Sequence, residues 1–180
     1  MPKSDHAHAI KLYQSLERHI GSEAAGDFLE KLPLSKSADY NKKFKWASEV
    51  CSYLEERFSE EEIRNIRMDC CCLPGSKAED ARILYESSAD YGEFCERFNK
   101  KHAPGNSLSH DGKALYFSYP TCYCSCIKRG DGNVTGSWCA CTLGYTEKLF
   151  SHALSCKVQV ELLESVKTGG KKCVMKIIQS

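Results

Sequence analysis

No apolar run in the chain approaches the roughly 20 residues that a membrane-spanning helix requires. Charge of one sign is not in excess either, since 25 Lys and Arg stand against 24 Asp and Glu, a formal net charge of +1. That balance gives no electrostatic reason to expect nucleic acid or an anionic membrane as partner. The stretch from Met1 to His19 is polar and charged, without the apolar segment of a secretory signal. Internal repeats and low-complexity tails are lacking. So are a paired CxxC zinc ribbon, a ferredoxin run, a Walker loop and a dinucleotide fingerprint. These absences lead to the expectation of a cytoplasmic protein with no membrane and no nucleic-acid partner. Its 180 residues can bury one sizeable core, which favours a single compact domain over 1–180.

What the chain has in quantity is cysteine, 12 residues in all. In reducing cytosol, clustered cysteines serve metal binding or redox chemistry more often than a disulfide scaffold. Isolated Cys also behaves as a small buried hydrophobe, so position must separate the cases.

The helical period dominates up to residue 105. Ala9, Leu12, Leu16 and Ile20 recur at helical spacing after Ser4, and Gly21 can end that segment. A short helix follows Ser22 and stops before Pro33, and another spans Ala38 to Phe58. Ser59 with Glu62, and Ser76 with Glu79, have the spacing of capping boxes. The second of these predicts one helix running through Ala81, Leu84, Tyr91, Cys95 and Phe98, before the turn-rich HAPGNSLSHDG. From Lys113 the period becomes two: KALYFSYP and TCYCSCIK read as strands, and GDGN supplies a turn after them. A helix from near Trp138 to Leu154 and two strands around Thr168-Gly169-Gly170 complete the chain. The fold class is therefore α+β, a helical part over 1–105 and a β-β-α-β-β antiparallel-sheet part over 106–180.

Cys51, Cys95, Cys156 and Cys173 sit in apolar phase and read as packing. Cys122, Cys124 and Cys126 would point to one side of a regular strand, each about 6.8 Å from the next. That is too far for neighbours to share a metal easily at a Zn–S length of about 2.3 Å. Cys139 and Cys141 would diverge by about 200° on a regular helix, and so cooperate only at its start. A helix amino terminus favours thiolate over thiol. Among Cys70, Cys71 and Cys72, the first follows Ile63 and Ile66 in helical phase and reads as packing, whereas the other two can leave the helix surface.

Other chemistry-bearing residues have plainer readings. His6 and His8 are expected on a solvated face near the terminus, and His152 near a helix carboxy terminus that favours imidazolium. His102 and His110 flank the turn-rich loop. The aromatic residues Tyr116, Phe117, Tyr119, Tyr123, Trp138 and Tyr145 can line an apolar ligand pocket or simply pack.

The stretches GYTEKLFSHAL and KVQVELLESVKTGGKKCVMKI resemble the vinyl-4-reductase small-molecule-binding family. In that family a Gly-containing helix packs on a hairpin whose final strand carries a Cys after a glycine turn. The corresponding features are Gly144-Tyr145, Val158 to Ser165, Gly169-Gly170 and Cys173, within Lys113 to Ile178. The resemblance implies a ligand-binding or sensory domain. More distantly, the helix-rich first half and the ending are similar to the aminothiazoline-carboxylate hydrolase family. The CYCSC and WCAC segments depart from the simplest vinyl-4-reductase pattern, which points to a specialised cysteine site.

The leading expectation is a small-molecule-binding or sensory protein with zinc or an iron–sulfur cluster. Its metal ligands would be drawn from Cys71, Cys72, Cys122, Cys124, Cys126, Cys139 and Cys141. The alternative is a cysteine-dependent hydrolase of a small heterocyclic substrate, with Cys139 or Cys141 as a low-pKa nucleophile. A third reading is a purely structural partner-binding module. A homodimer is compatible with all three.

Overall fold

Ser59 opens a helix as its sequence predicts. In the computed structural model, which describes residues 4–102 and 105–180, its side chain accepts from the Glu62 N–H while the Glu62 carboxylate accepts from the Ser59 N–H. Among the described residues the elements are α1 (Ala7–Ile20), α2 (Ser22–Lys31), α3 (Tyr40–Glu55), α4 (Glu60–Asp69), α5 (Gly75–Glu86) and α6 (Tyr91–His102). They continue as β1 (Ser107–His110), β2 (Leu115–Tyr119), α7 (Gly136–Ala153), β3 (Val158–Glu164), a 3-10 turn at Val166–Thr168, and β4 (Cys173–Gln179). The architecture is α+β: helices come first, and the strands form an antiparallel sheet in the order β1-β2-β4-β3. No described helix is long and apolar enough to cross a membrane.

The chain divides into two compact units. Unit 1 joins the chain up to Cys70 with Tyr123–Cys141; unit 2 joins Cys71–Cys122 with Thr142–Ser180. In unit 1, α1 to α4 turn Ala9, Leu12, Leu16, Phe28, Trp46, Val50, Leu54, Ile63 and Ile66 inward. Phe28 meets Trp46 and Tyr53 edge-on, and the Trp46 indole donates to the Leu32 carbonyl at 2.9 Å. The buried Ser15 hydroxyl donates to the Ile66 carbonyl at 2.7 Å, tying α1 to the last turn of α4. The irregular stretch before α7 lies against α3, where a Cβ on Gly130 would fall on the Phe44 ring and 2.8 Å from the Phe44 Cβ. Only glycine fits there.

Unit 2 is built on the sheet's alternation. Leu108, Leu115, Phe117, Val158, Val160, Met175 and Ile177 are buried, with polar neighbours between them. The Phe98 ring lies 6.0 Å from Phe117 and 5.9 Å from Phe150. At the β1–β2 turn the Asp111 carboxylate accepts from the Lys113 and Ala114 N–H groups and from the Tyr116 hydroxyl, while Gly112 takes φ 87°.

Two expectations change. The helix expected from Ser76 to Phe98 is two helices. Asp90 accepts from the Glu93 N–H and Glu93 accepts from the Ala89 N–H, so a second cap starts α6, while Pro74 rather than Ser76 stands at the α5 cap. The larger change concerns TCYCSCIK, which is not a strand. β2 ends at Tyr119, before the donor-less Pro120, and the Cys124 carbonyl accepts from the Ile127 and Lys128 N–H groups in a turn. The hairpin partner of β2 is instead SLSH, within the segment read as turn-rich; Ala103 and Pro104 of that segment lie outside the described residues. A period of two over a few residues fits a string of turns as well as a strand.

Candidate functional site

Arg67 stands four residues past Ile63, on the inward face of α4, and is only 2 % exposed. Its guanidinium lies 4.2 Å from the Trp138 ring, and its Nη2 donates to the Trp138 carbonyl at 2.9 Å. Its Nε has no hydrogen-bond partner among the described residues. Trp138, in the first turn of α7, is itself buried, meets Trp46 edge-on at 5.7 Å, and donates from its indole to the Cys124 Sγ at 3.4 Å. Burial disfavours the Arg67 charge; the sulfurs of Cys141, Cys70, Cys51 and Cys124 act in its favour and hold its pKa above the usual value. It is a fixed cation.

The sulfurs around it reach unit 1 from four places. Cys51 lies on α3, Cys70 at the end of α4, Cys124 and Cys126 in the turn before α7, and Cys141 on α7. Burial pushes the Cys126 and Cys141 thiols up to about 12 and raises Cys51 and Cys70 as well, although Arg67 pulls all four down. Desolvation wins. The sequence argument gives Cys141 the opposite direction, and the reason for the correction is position: α7 begins at Gly136, which leaves Cys141 beyond the first turn, where the dipole fades.

His8 completes the surroundings. Its Nε2 is 2.9 Å from the Ser125 Oγ and its ring centroid 6.4 Å from that of Trp138. Burial pushes its pKa down to about 4, and the field of Arg67, then those of His6, Lys11 and Lys43, push the same way. The imidazole is therefore neutral at pH 7. His6 is buried and accepts from the His8 N–H to cap α1, so neither histidine is on the solvated face expected of it.

Of the seven expected ligands, Cys124, Cys126, Cys139 and Cys141 belong to unit 1. Cys71, Cys72 and Cys122 belong to unit 2, where Cys72 is exposed and the other two half-buried. Cys122, Cys124 and Cys126 do not share a strand face, because no strand is there. Among the described residues no group of three or more His, Cys, Asp or Glu is arranged to hold a metal ion. Cys51 and Cys70 are buried, as their apolar phase predicts, and yet act on the cation electrostatically. Cys95 and Cys173 are buried in unit 2, and Cys156 is half-buried just before β3. His102, His110 and His152 also belong to unit 2; His152 sits 3.1 Å from Glu79. Sequence reasoning passes over Arg67, though a signal exists: a charged residue in phase with Ile63 on an otherwise apolar helix face.

Among solved structures, the chain is similar to an H-NOX protein from S. oneidensis in the Fe(II)NO ligation state. The identity is 14 %, the TM-score 0.48, and the match covers 97 % of this chain and 99 % of that one. An H-NOX from Shewanella woodyi in the Fe(II)CO state is similar at 12 % identity and a TM-score of 0.42, over 96 % of this chain and 93 % of that one. No curated protein matches the chain. A family model matches residues 4–180, and the chain belongs to that family, the family of unknown function DUF6144.

Proposed function

We propose that the protein is a small-molecule-binding sensory protein whose responsive element is the thiol nest of unit 1. The observation that carries this reading is the gathering of Cys51, Cys70, Cys124 and Cys141 about one buried cation from separate stretches of sequence. The resemblance of Lys113 to Ile178 to vinyl-4-reductase ligand-binding domains points the same way. Zinc requires three or four Cys, His, Asp or Glu ligands on one centre, and an iron–sulfur cluster mostly thiolates; the described residues offer no group of three or more such side chains. The ligand chemistry that fits is a thiophile engaging one or two sulfurs. Of the four sulfurs that act on Arg67, Cys51 and Cys70 are buried and Cys124 and Cys141 half-buried, so the latter two are the first to meet it. The Trp138 indole N–H, bonded to the Cys124 sulfur, couples that event to the core of α3.

Phenylarsine oxide tests the reading, since it condenses with two thiols to form two As–S bonds and one water. The native, reduced protein should take up the arsenical on the peptides bearing Cys124 and Cys141, read by mass spectrometry, and Cys124→Ser or Cys141→Ser should each abolish that adduct. An adduct confined to Cys71 and Cys72 would sink the proposal, as would stoichiometric zinc or iron in protein purified without oxygen.

A further inference from the structure

Arg67 carries a charge and donors that the described residues leave unmatched. Fully buried arginines are normally paired with acidic groups. Here the leading fields in favour of the guanidinium come from four sulfurs, ahead of any Asp or Glu, and they act only where those thiols are ionised, which for Cys141 is well above neutral pH. Nη2 uses one hydrogen on the Trp138 carbonyl, and Nε uses none. The remaining neighbours do not supply the missing charge. Cys51, Cys70 and Cys141 are held as neutral thiols, and His8 as neutral imidazole. The indole face of Trp138 offers quadrupolar attraction without a countercharge. A buried cation with an orphaned N–H costs stability, and binding of an external anion offsets that cost.

The charge count narrows the class. The guanidinium itself is matched by a monoanion; Lys11, Lys43, Glu55, Asp69 and Arg18 act on the surrounding groups with mixed sign and supply no second fixed cation against Arg67. The Nε and Nη2 hydrogens lie on one edge of the guanidinium, which matches two oxygens held in a plane. We propose that Arg67, backed by Trp138 and flanked by Cys124 and Cys141, forms a buried site for a small planar monoanion such as a carboxylate. This deepens the reading above and rests on the same nest being a binding site, but it depends on the guanidinium rather than on sulfur reactivity.

The test uses the full chain under reducing conditions with four probes: formate, acetate, nitrite and inorganic phosphate. His8, which feels Arg67 directly, is followed by histidine NMR across pH. At least one of the three monoanions should raise the His8 midpoint saturably, because a bound anion cancels the Arg67 field that adds to the depression by burial. Arg67→Met should weaken that binding by about tenfold or more, and Arg67→Lys should retain part of it. A His8 midpoint unmoved by all three monoanions in the wild-type protein overturns the inference without recourse to any variant. Unchanged affinity in folded Arg67→Met, or binding of phosphate alone, overturns it equally. Measuring the arsenical adduct on the same samples separates the two readings. Loss of the anion effect with the adduct intact removes the anion site only, and the reverse removes the thiophile reading only.

Discussion

The two units place their arginines differently. Unit 2 keeps Arg82 and Arg97 at its surface and gives each a carboxylate, Glu79 and Glu86 for the first and Glu93 for the second. Unit 1 draws Arg67 into its core and supplies an indole face, a carbonyl and sulfurs. The cysteines divide the same way. In unit 2, burial alone pushes Cys95 up to about 11, whereas Cys141 of unit 1 is raised against the pull of a cation. The residue types are the same in both units. What distinguishes a site from packing is therefore the missing partner of a charge rather than the abundance of a residue, since each of these surface arginines of unit 2 is already satisfied.

The largest effect should come from cutting into the two cores. Trp138→Ala and Phe150→Ala should each lower the unfolding free energy by about 3–5 kcal/mol in denaturant titration. Only the former should change the alkylation rate of Cys124, because only it removes the indole donor. Equal changes in both variants would erase the distinction drawn between the units.

A smaller effect belongs to His8. Its pKa is about 4 in the folded protein against 6.5 as the unperturbed value. Because the unfolded chain binds this proton first, the contribution is complete above pH 6.5 and is lost as pH falls from 6.5 through 4. The loss amounts to about 2–3 kcal/mol. His8→Gln should flatten the stability profile over that window, and an unchanged slope would contradict the burial argument. The smallest effect is expected at Arg82: Arg82→Met should leave the thermal midpoint nearly unmoved and remove only a salt-dependent part, since both partners are solvent-exposed carboxylates.

Local rules are enough for much of the fold. The Ser59–Glu62 box, the inward phase of α1 and α3, and the hairpin of β3 and β4 are all legible residue by residue. The β1–β2 pairing is not, because Ser107–His110 is short and polar while the segment after Pro120 alternates more convincingly. Pairing is a property of two segments, and a pattern in one cannot choose its partner. Clustering singles out Cys124, Cys126, Cys139 and Cys141 of unit 1, but equally Cys71, Cys72 and Cys122, which belong to unit 2. It hides Cys51 and Cys70, because their apolar phase accounts for their burial without showing that a packed cysteine can also adjoin a charge. Arg67 and His8 need tertiary structure, since only packing shows that a charge is buried or that an imidazole near the terminus is partly desolvated.

Both tryptophans of the chain, Trp46 and Trp138, lie in unit 1 and meet edge-to-face. All indole fluorescence therefore originates there, from a pair in which one ring is stacked on a guanidinium and hydrogen-bonded to a sulfur. Selective excitation of tryptophan makes unit 2 optically silent, while its tyrosines still respond at shorter wavelength. Tryptophan emission thus serves as a built-in probe that reports melting of unit 1 by itself, whereas tyrosines occur in both units.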